Sequence, residues 1–199
     1  VMDWQDVSVR PGRLRRLPDR PLRVVVHEGD LRIDGRSAPR ALPRALRVEG
    51  DLVIADCDWL QVLPEVLEVS GDCRIVGCAN LRSMPARLLV RGNASFSRCG
   101  RLARSAQRID VRGRLDLSGC RSLMGLPVSM RVDGSLDVTE CAYLRPIPAG
   151  AVVCGSIQRG HIVLRSVADL NRYLEAHAMM SFRATETSPW SRPAGARRL

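Results

Sequence analysis

Cysteine is the residue type in this sequence with the greatest capacity for chemistry, and its spacing is regular. Five of the seven cysteines follow one another at intervals of 21 residues: Cys57, Cys78, Cys99, Cys120 and Cys141. Thiolates serve as nucleophiles and as zinc ligands, but zinc sites are typically built from close pairs such as C-x₂-C, which the sequence lacks. An odd, evenly spaced set also offers no natural disulfide pairing. We therefore predict reduced, buried thiols with a structural role.

No other pattern in the sequence predicts an enzyme. The three histidines, His27, His161 and His177, form no HExxH motif, and GSIQRG at 155–160 lacks the G-K-[ST] ending of a phosphate-binding loop. A cysteine–histidine pair could assemble only in space, for example from Cys154 and His161, and no sequence feature argues for the exposure and activation that a reactive thiol needs. We predict that the chain is not an enzyme and binds no metal or other cofactor.

The cysteine spacing belongs to an internal repeat that sets the architecture. Glycines recur with the same period, at Gly29, Gly50, Gly71, Gly92, Gly113, Gly134 and Gly155. Self-similarity of this kind is typical of stacked repeats. Within residues 46–54, apolar and polar residues alternate, which predicts extended strand on both sides of the glycine. The glycine occupies an inward-facing position of this alternation, where a side chain would collide with the interior. We therefore expect a bend between two short strands.

The rest of each unit returns the chain to the start of the next strand. After the second strand the apolar spacing changes to three, at Cys57, Leu60 and Leu63, and Pro64 follows, which indicates a turn and a short 3₁₀-like segment. The predicted fold is therefore a repeat solenoid, similar to a leucine-rich repeat. We expect six to seven coils, with parallel strands paired 21 residues apart and about 4.8 Å between neighbouring strands.

Four segments are predicted along the chain. Residues 1–24 form an N-terminal cap, 25–160 the solenoid of 21-residue units, 161–180 a capping helix, and 181–199 a flexible basic tail. The helix is predicted because Ser166 and Asp169 form a weak capping box and because Val167, Leu170, Leu174 and Ala178 share one face. No run of about 20 uncharged apolar residues predicts a membrane span, and the opening VMDWQDV does not resemble a signal segment.

Three consecutive strings between residues 63 and 85, LPEVLEV, GDCRIVGC and NLRSMP, resemble bacterial leucine-rich repeats. The nearest likeness is to the LP-containing short repeats in the recognition domains of type III secreted effectors, which carry asparagine or cysteine where this chain has Cys57 and its equivalents. The resemblance covers residues 20–160 and implies a partner-binding module. Between Leu46 and Leu52, however, LxVxGxL replaces the usual three-residue step. This departure favours a straighter solenoid with two strand segments per coil over a horseshoe with one concave sheet.

The resemblance also invites a search for the ubiquitin ligase domain that such effectors can carry, whose cysteine lies in a C-x-D motif. None of the seven cysteines is followed by aspartate at that position. An enzymatic domain outside this chain therefore remains as a third interpretation of the protein.

All 31 residues in the combined count of lysine and arginine are arginine. A GC-rich genome would produce this bias, and so would selection against ubiquitin acceptors in a protein that works inside a eukaryotic cell; both explanations stay open. With reduced thiols and no signal peptide, the predicted location is the bacterial cytoplasm or, after translocation, the host cell.

Outward-facing residues can be arranged in columns, because equivalent positions stand one strand apart. Acidic residues dominate the first coils and arginine the middle ones, within a net charge of +10. Such a cluster suits carboxylate or phosphate groups, although it is also compatible with an ordinary solvated surface. The column Asp30, Asp51, Asp72 could hold calcium, but aspartate after glycine more often caps turn amides. The predicted partner-binding residues are Arg74, Arg91, Arg98, Arg112, Arg114 and, as exposed anchors at the turn, Trp59 and Tyr143.

Two classes of function follow from these columns. The first is a monomeric protein-recognition module whose partner is an acidic protein, eukaryotic if the chain is a translocated effector. The second is electrostatic binding of nucleic acid or phosphate, which the isoelectric point of about 10.4 keeps open. The interspersed acidic columns and the two phenylalanines in the whole chain favour the first, because single-stranded nucleic acids bind by stacking on aromatic side chains.

Overall fold

A computed structural model describes residues 24–35 and 42–186, with side chains as far as residue 177. Within these ranges the chain winds into a parallel β-solenoid of about six turns with one C-terminal helix, which confirms the predicted fold class. The predicted N-terminal cap, up to residue 23, and the basic tail from residue 187 lie outside the described residues.

Fifteen strands and one helix make up the described chain. In chain order they are β1 (Val24–His27), β2 (Leu31–Asp34), β3 (Ala45–Val48), β4 (Leu52–Ala55), β5 (Val66–Val69), β6 (Cys73–Val76), β7 (Arg87–Val90), β8 (Ala94–Ser95), β9 (Arg108–Val111), β10 (Leu115–Asp116), β11 (Ser129–Val132), β12 (Leu136–Asp137), β13 (Val152–Val153), β14 (Ile157–Arg159), β15 (Ile162–Leu164) and α1 (Val167–Glu186).

The strands form two sheets that meet at the glycine corners. The first sheet has the order β1-β3-β5-β7-β9-β11-β13, and the second has the order β15-β14-β12-β10-β8-β6-β4-β2. Each strand from β1 to β14 is parallel to its equivalent one coil away and pairs with the residues 21 positions on. The two strand segments per coil and their register are those that the alternation of residues predicted.

The glycine corner is held by hydrogen bonds that run along the solenoid. The Gly92 amide donates to the Gly71 carbonyl at 3.0 Å, and the Gly113 amide donates to the Gly92 carbonyl at 2.9 Å. A methyl group at Gly92 would lie 2.7 Å from the Gly71 oxygen and would also meet the Asp72 carboxylate. The glycine is therefore required, as predicted, but the obstacle is the preceding coil's backbone and aspartate rather than the core.

The aspartates that follow the glycines complete the corner. The Asp51 carboxylate accepts the Asp72 amide at 2.8 Å, and the Asp72 carboxylate accepts the Asn93 amide at the same distance. The side-chain oxygen of Asn93 then accepts the Arg114 amide at 2.9 Å. This column thus caps turn amides, the more common of its two interpretations.

The core is a stack of aliphatic side chains between the two sheets and the return segments. Leucine, isoleucine and valine of successive coils fill equivalent positions, and Phe96 is the largest fully buried side chain. Each return segment contains one turn in which a leucine amide donates to the cysteine carbonyl three residues earlier, as from Leu102 to Cys99 at 3.0 Å. These are single turns and not 3₁₀ helices.

Helix α1 closes the C-terminal end of the core. Leu170 and Leu174 are buried there, and the Ser166 hydroxyl caps the helix by accepting the Asp169 amide at 3.1 Å. Asn171 ties the helix to the last return segment through two hydrogen bonds of 2.7 Å with the backbone of Ile147. No helix among the described residues is long and apolar enough to cross a membrane.

The C-terminal boundary differs from the prediction. The helix runs over Val167–Glu186 rather than 161–180, because residues 162–164 form β15, which pairs antiparallel with β14. Strand β15 therefore covers the edge of β14, the last parallel strand of the second sheet, before the helix begins. Six of the nineteen residues assigned to a flexible tail, 181–186, belong to the helix.

The glycine corner predicts unequal effects for two glycines of one coil. Gly92→Ala should lower the free energy of unfolding by about 2 kcal/mol or more, because the new methyl group meets backbone atoms that cannot move independently. Gly100→Ala is the matched control, since nothing lies within 4 Å of the added atom. Urea denaturation measures both. Equal stability of the two variants would contradict the corner described above.

Candidate interaction surface

The seven residues predicted to bind a partner are distributed over three faces of the solenoid. Arg91 and Arg112 follow β7 and β9 on the outer side of the first sheet. Arg74 and Arg114 belong to the outer side of the second sheet. Arg98, Trp59 and Tyr143 lie at the turn after the second sheet and on the return segments. The structure therefore brings together only one adjacent pair, Arg91 and Arg112, on the first sheet.

Around that pair the first sheet carries further arginines. Arg87 and Arg108 are paired residues of β7 and β9, and they have the same outward parity as Arg91 and Arg112. We call these four residues the arginine face. Because two arginines stand opposite each other at both of its ends, mutual repulsion destabilises each pair by a few tenths of a kcal/mol.

Arginines elsewhere in the same sheet are neutralised by a carboxylate, whereas three of the four arginines of the arginine face are not. Arg47 binds Glu68 at 2.6 Å, and Arg131 binds Asp133 at 2.8 Å. Within the arginine face, Arg108 lies 3.9 Å from Asp110. The guanidinium groups of the other three members make no hydrogen bond or ion pair with any residue that the structure describes.

A hollow of about 480 Å³ borders the arginine face on its N-terminal side. Arg87, Leu89 and Arg91 line one side of the hollow, and the ion pair Arg47–Glu68 and the Glu49 side chain line the other. Leu89 is partly exposed at the centre of this surface, next to Asp110 on the adjoining strand. The surface therefore offers separated cationic positions around an apolar side chain.

The two predicted arginines of the second sheet have carboxylate neighbours. Arg114 binds Asp137 at 2.6 Å, and the Asp137 side chain is only 9% exposed. Arg74 lies 3.8 Å from Asp72. Burial of its carboxylate partner ties Arg114 to the fold, so this residue is less free to meet a ligand than Arg91 or Arg112.

The turn and the return face contain the remaining candidates. Arg98 is exposed at the corner before Cys99 and has a φ of 58°, in the region that favours glycine. Tyr143 is 70% exposed, which agrees with its role as a candidate anchor. Trp59 is not the exposed anchor expected from sequence, because its ring packs against the core and its indole nitrogen is buried. It borders a groove of about 700 Å³ that also includes Val62, Met84 and Arg104.

The regularly spaced cysteines form a buried column along the turn. Cys120 donates to the Phe96 carbonyl at 3.0 Å and Cys141 to the Leu117 carbonyl at 3.2 Å, so each thiol bonds to the preceding coil. Burial raises the pKa of the Cys57 thiol to about 11 and that of Cys120 and Cys141 to about 12. The Cys99 thiol donates to the Ile75 carbonyl at 3.6 Å, and the adjacent Cys78 thiol together with burial raises the pKa of Cys99 as well.

The described part of the chain shows all seven cysteines as free thiols and contains no cluster of three side chains that could hold a metal ion. Cys154 is exposed after β13 on the first sheet, whereas His161 lies in the hairpin between β14 and β15 of the second sheet. The Cys154 thiol donates a long hydrogen bond of 4.0 Å to the Asp133 carboxylate. The two residues of the candidate cysteine–histidine pair therefore belong to different sheets.

Arg87, Leu89 and Arg108 were not among the predicted site residues. The columns that predict the site begin one residue before the glycine, but strand parity also places the third and fifth residues before the glycine on the outer face. The alternation of inward and outward residues, which reveals these three positions, is visible in the sequence.

Comparison with protein-family models, curated proteins and solved structures finds no match for this chain.

The accessibility of the thiols predicts a selective labelling pattern. A small thiol reagent added to native protein at pH 8 should modify Cys154 rapidly and leave the six buried cysteines unmodified. The buried thiols should react only after denaturation, because reagent access and, for those with raised pKa, the lack of thiolate both protect them. Mass spectrometry of labelled peptides measures this. Fast native labelling of Cys99 or Cys120 would contradict the buried column.

Proposed function

We propose that this chain is a protein-recognition module that binds an acidic partner protein through the arginine face. The resemblance of its repeats to the recognition domains of secreted bacterial effectors supports the class of function. It also leads us to propose that the partner is eukaryotic. The absence of lysine is compatible with work inside a host cell, where lysine is the usual ubiquitin acceptor.

The observation that carries this proposal is the cluster of four arginines on two adjacent coils, of which only Arg108 has a carboxylate within 4 Å among the residues that the structure describes. Elsewhere on the first sheet a carboxylate lies beside arginine, as in the pair Arg47–Glu68. On β7 and β9, arginine faces arginine at both ends, at a cost in stability. A partner that supplies carboxylates would convert this repulsion into charge-assisted hydrogen bonds.

The same face is less suited to nucleic acid. Glu49 lines the adjoining hollow, and Asp110 lies between the arginine pairs, so a continuous phosphate backbone would meet a carboxylate on either side of Arg87 and Arg91. An acidic protein segment can instead place carboxylates at the arginines and uncharged residues beside Asp110. The experiment below also measures binding of duplex nucleic acid.

The test reverses the charge of the face and compares it with an equal reversal elsewhere. Arg91→Glu/Arg112→Glu changes two exposed residues of the arginine face, and Arg82→Glu/Arg145→Glu changes two exposed residues of the return face. The tagged full chain and both variants are incubated with eukaryotic cell lysate, and captured proteins are quantified by mass spectrometry. We expect the face variant to lose the proteins that the parent and the control variant both retain, while all three keep the same melting temperature.

Two results would contradict the proposal. In the first, the face variant captures the same proteins as the parent, which would make the arginine face an ordinary solvated surface. In the second, the parent binds a 20-base-pair duplex through the face and loses about a thousandfold in affinity between 50 and 200 mM salt, as expected for release of counterions from DNA. That result would replace a protein partner by nucleic acid.

A further inference from the structure

The arginine face has a defined geometry that constrains what can bind it. Arg87 and Arg108 are paired across neighbouring strands, so their backbones are about 4.8 Å apart. Four residues further along, just past the ends of these strands, Arg91 and Arg112 keep the same register, because the Arg112 amide donates to the Val90 carbonyl at 3.0 Å. At about 3.3 Å per residue, the two pairs are separated by about 13 Å along the strand direction. The face is thus a long rectangle with two cationic positions at each end.

The middle of the rectangle has a different character from its ends. Leu89 and Asp110 are paired there, one partly buried apolar side chain beside one carboxylate. The Asp110 side chain is 29% exposed and lies 3.9 Å from Arg108, so its charge is only partly offset. A ligand that reaches both ends must therefore present an uncharged or apolar group at its centre.

The neighbouring coil limits where an acidic ligand can lie. On the N-terminal side of β7, the Glu68 carboxylate and the Glu49 side chain line the hollow. Arg47 also lines the hollow, but it is already bonded to Glu68 at 2.6 Å, so β5 offers a carboxylate no free guanidinium group. Arg87 and Arg91 of the next coil, and Arg108 and Arg112 of the coil after it, supply four guanidinium groups. The favourable position for an acidic ligand is therefore the seam between β7 and β9.

From this geometry, and resting on the proposed function, we infer that the arginine face binds an extended segment of its partner that has two acidic residues four positions apart and an apolar residue midway between them. The order of residues in the segment is then acidic-x-apolar-x-acidic. Its charges would fall on the two arginine pairs, and its central side chain would contact Leu89.

The spacing follows from how extended chains pack on a sheet. Alternate side chains of an extended segment point to one side, so the first, third and fifth residues face the protein together. Strands that pack face to face keep their directions within about 30° of each other, which lets a segment follow β7 and β9. Four steps of the segment then span about the same 13 Å as the arginine pairs. Each carboxylate can receive hydrogen bonds from two guanidinium groups.

The test uses three fluorescein-labelled peptides, each nine residues long with blocked ends. The first is Ser-Thr-Glu-Ser-Leu-Ser-Glu-Thr-Ser. The second has the same composition, but its glutamates are three positions apart. The third replaces the central leucine of the first by glutamate and so carries the greatest negative charge. Fluorescence anisotropy at 50 mM salt measures the dissociation constant of each peptide for the full chain, under conditions where screening is weak.

We expect the first peptide to bind about tenfold more tightly than the second, because only the first can engage both arginine pairs at once. The third peptide should bind at least about threefold more weakly than the first, because its central carboxylate faces Asp110. Arg87→Gln/Arg108→Gln should weaken the first peptide about tenfold, and Arg82→Gln/Arg145→Gln is the matched control that should leave it unchanged.

Nonspecific attraction predicts a different order of affinities. If the third peptide binds most tightly, or if the two glutamate spacings bind equally, the inferred segment is wrong and the face responds only to total charge. Absence of binding by all three peptides would also overturn the inference. The proposed function has a separate test, because charge reversal of Arg91 and Arg112 can still remove partners captured from lysate whatever the peptides do.

Discussion

At the corners from Gly71 to Gly155, a glycine amide donates to the glycine carbonyl of the preceding coil. In the earlier coils an aspartate or asparagine side chain also accepts the next amide, at Asp51, Asp72, Asn93 and Arg114. Both contacts require the neighbouring backbone to approach more closely than any side chain at the glycine would allow. The corner therefore fixes three features together: the period of 21 residues, the parallel register and the sharp change of direction. Strand pairing, core packing and the cysteine column all depend on that register.

Because the register is constant, the outward-facing side chains at equivalent positions of successive coils lie next to one another. Equivalent residues form columns one strand apart, so a charge that recurs after 21 residues becomes a charged stripe. Most of the first sheet neutralises its stripes by alternating arginine with carboxylate, as at Arg47 and Glu68. Between β7 and β9 arginine recurs instead. The proposed recognition surface is thus the place where the alternation of arginine with carboxylate is interrupted, while the 21-residue backbone repeat continues.

Sequence predicted the repeated parts of this fold well and its ends less well. A period of 21 residues and the alternation around Gly50 were sufficient for two strands per coil, because every unit repeats the same signal. The hairpin of β14 and β15 has no second copy, and Ile162–Leu164 was therefore assigned to the helix. Trp59 was expected to be exposed because it lies at the turn after the cysteine. Its burial depends on packing against the core, which single-column spacing does not reveal. Arg87 and Arg108, by contrast, could have been found from strand parity alone.

The corner itself is tested most directly at Asp51, whose carboxylate accepts the Asp72 amide at 2.8 Å. Hydrogen exchange of that amide should be compared in the parent, Asp51→Asn and Asp51→Ala. Asparagine should preserve protection, because Asn93 accepts the equivalent amide two coils further on. Alanine should expose the amide to fast exchange and lower the free energy of unfolding by about 1 kcal/mol, the usual contribution of such a hydrogen bond. If the amide is protected equally in the alanine and asparagine variants, the side chain does not hold the corner and this account of the fold is wrong.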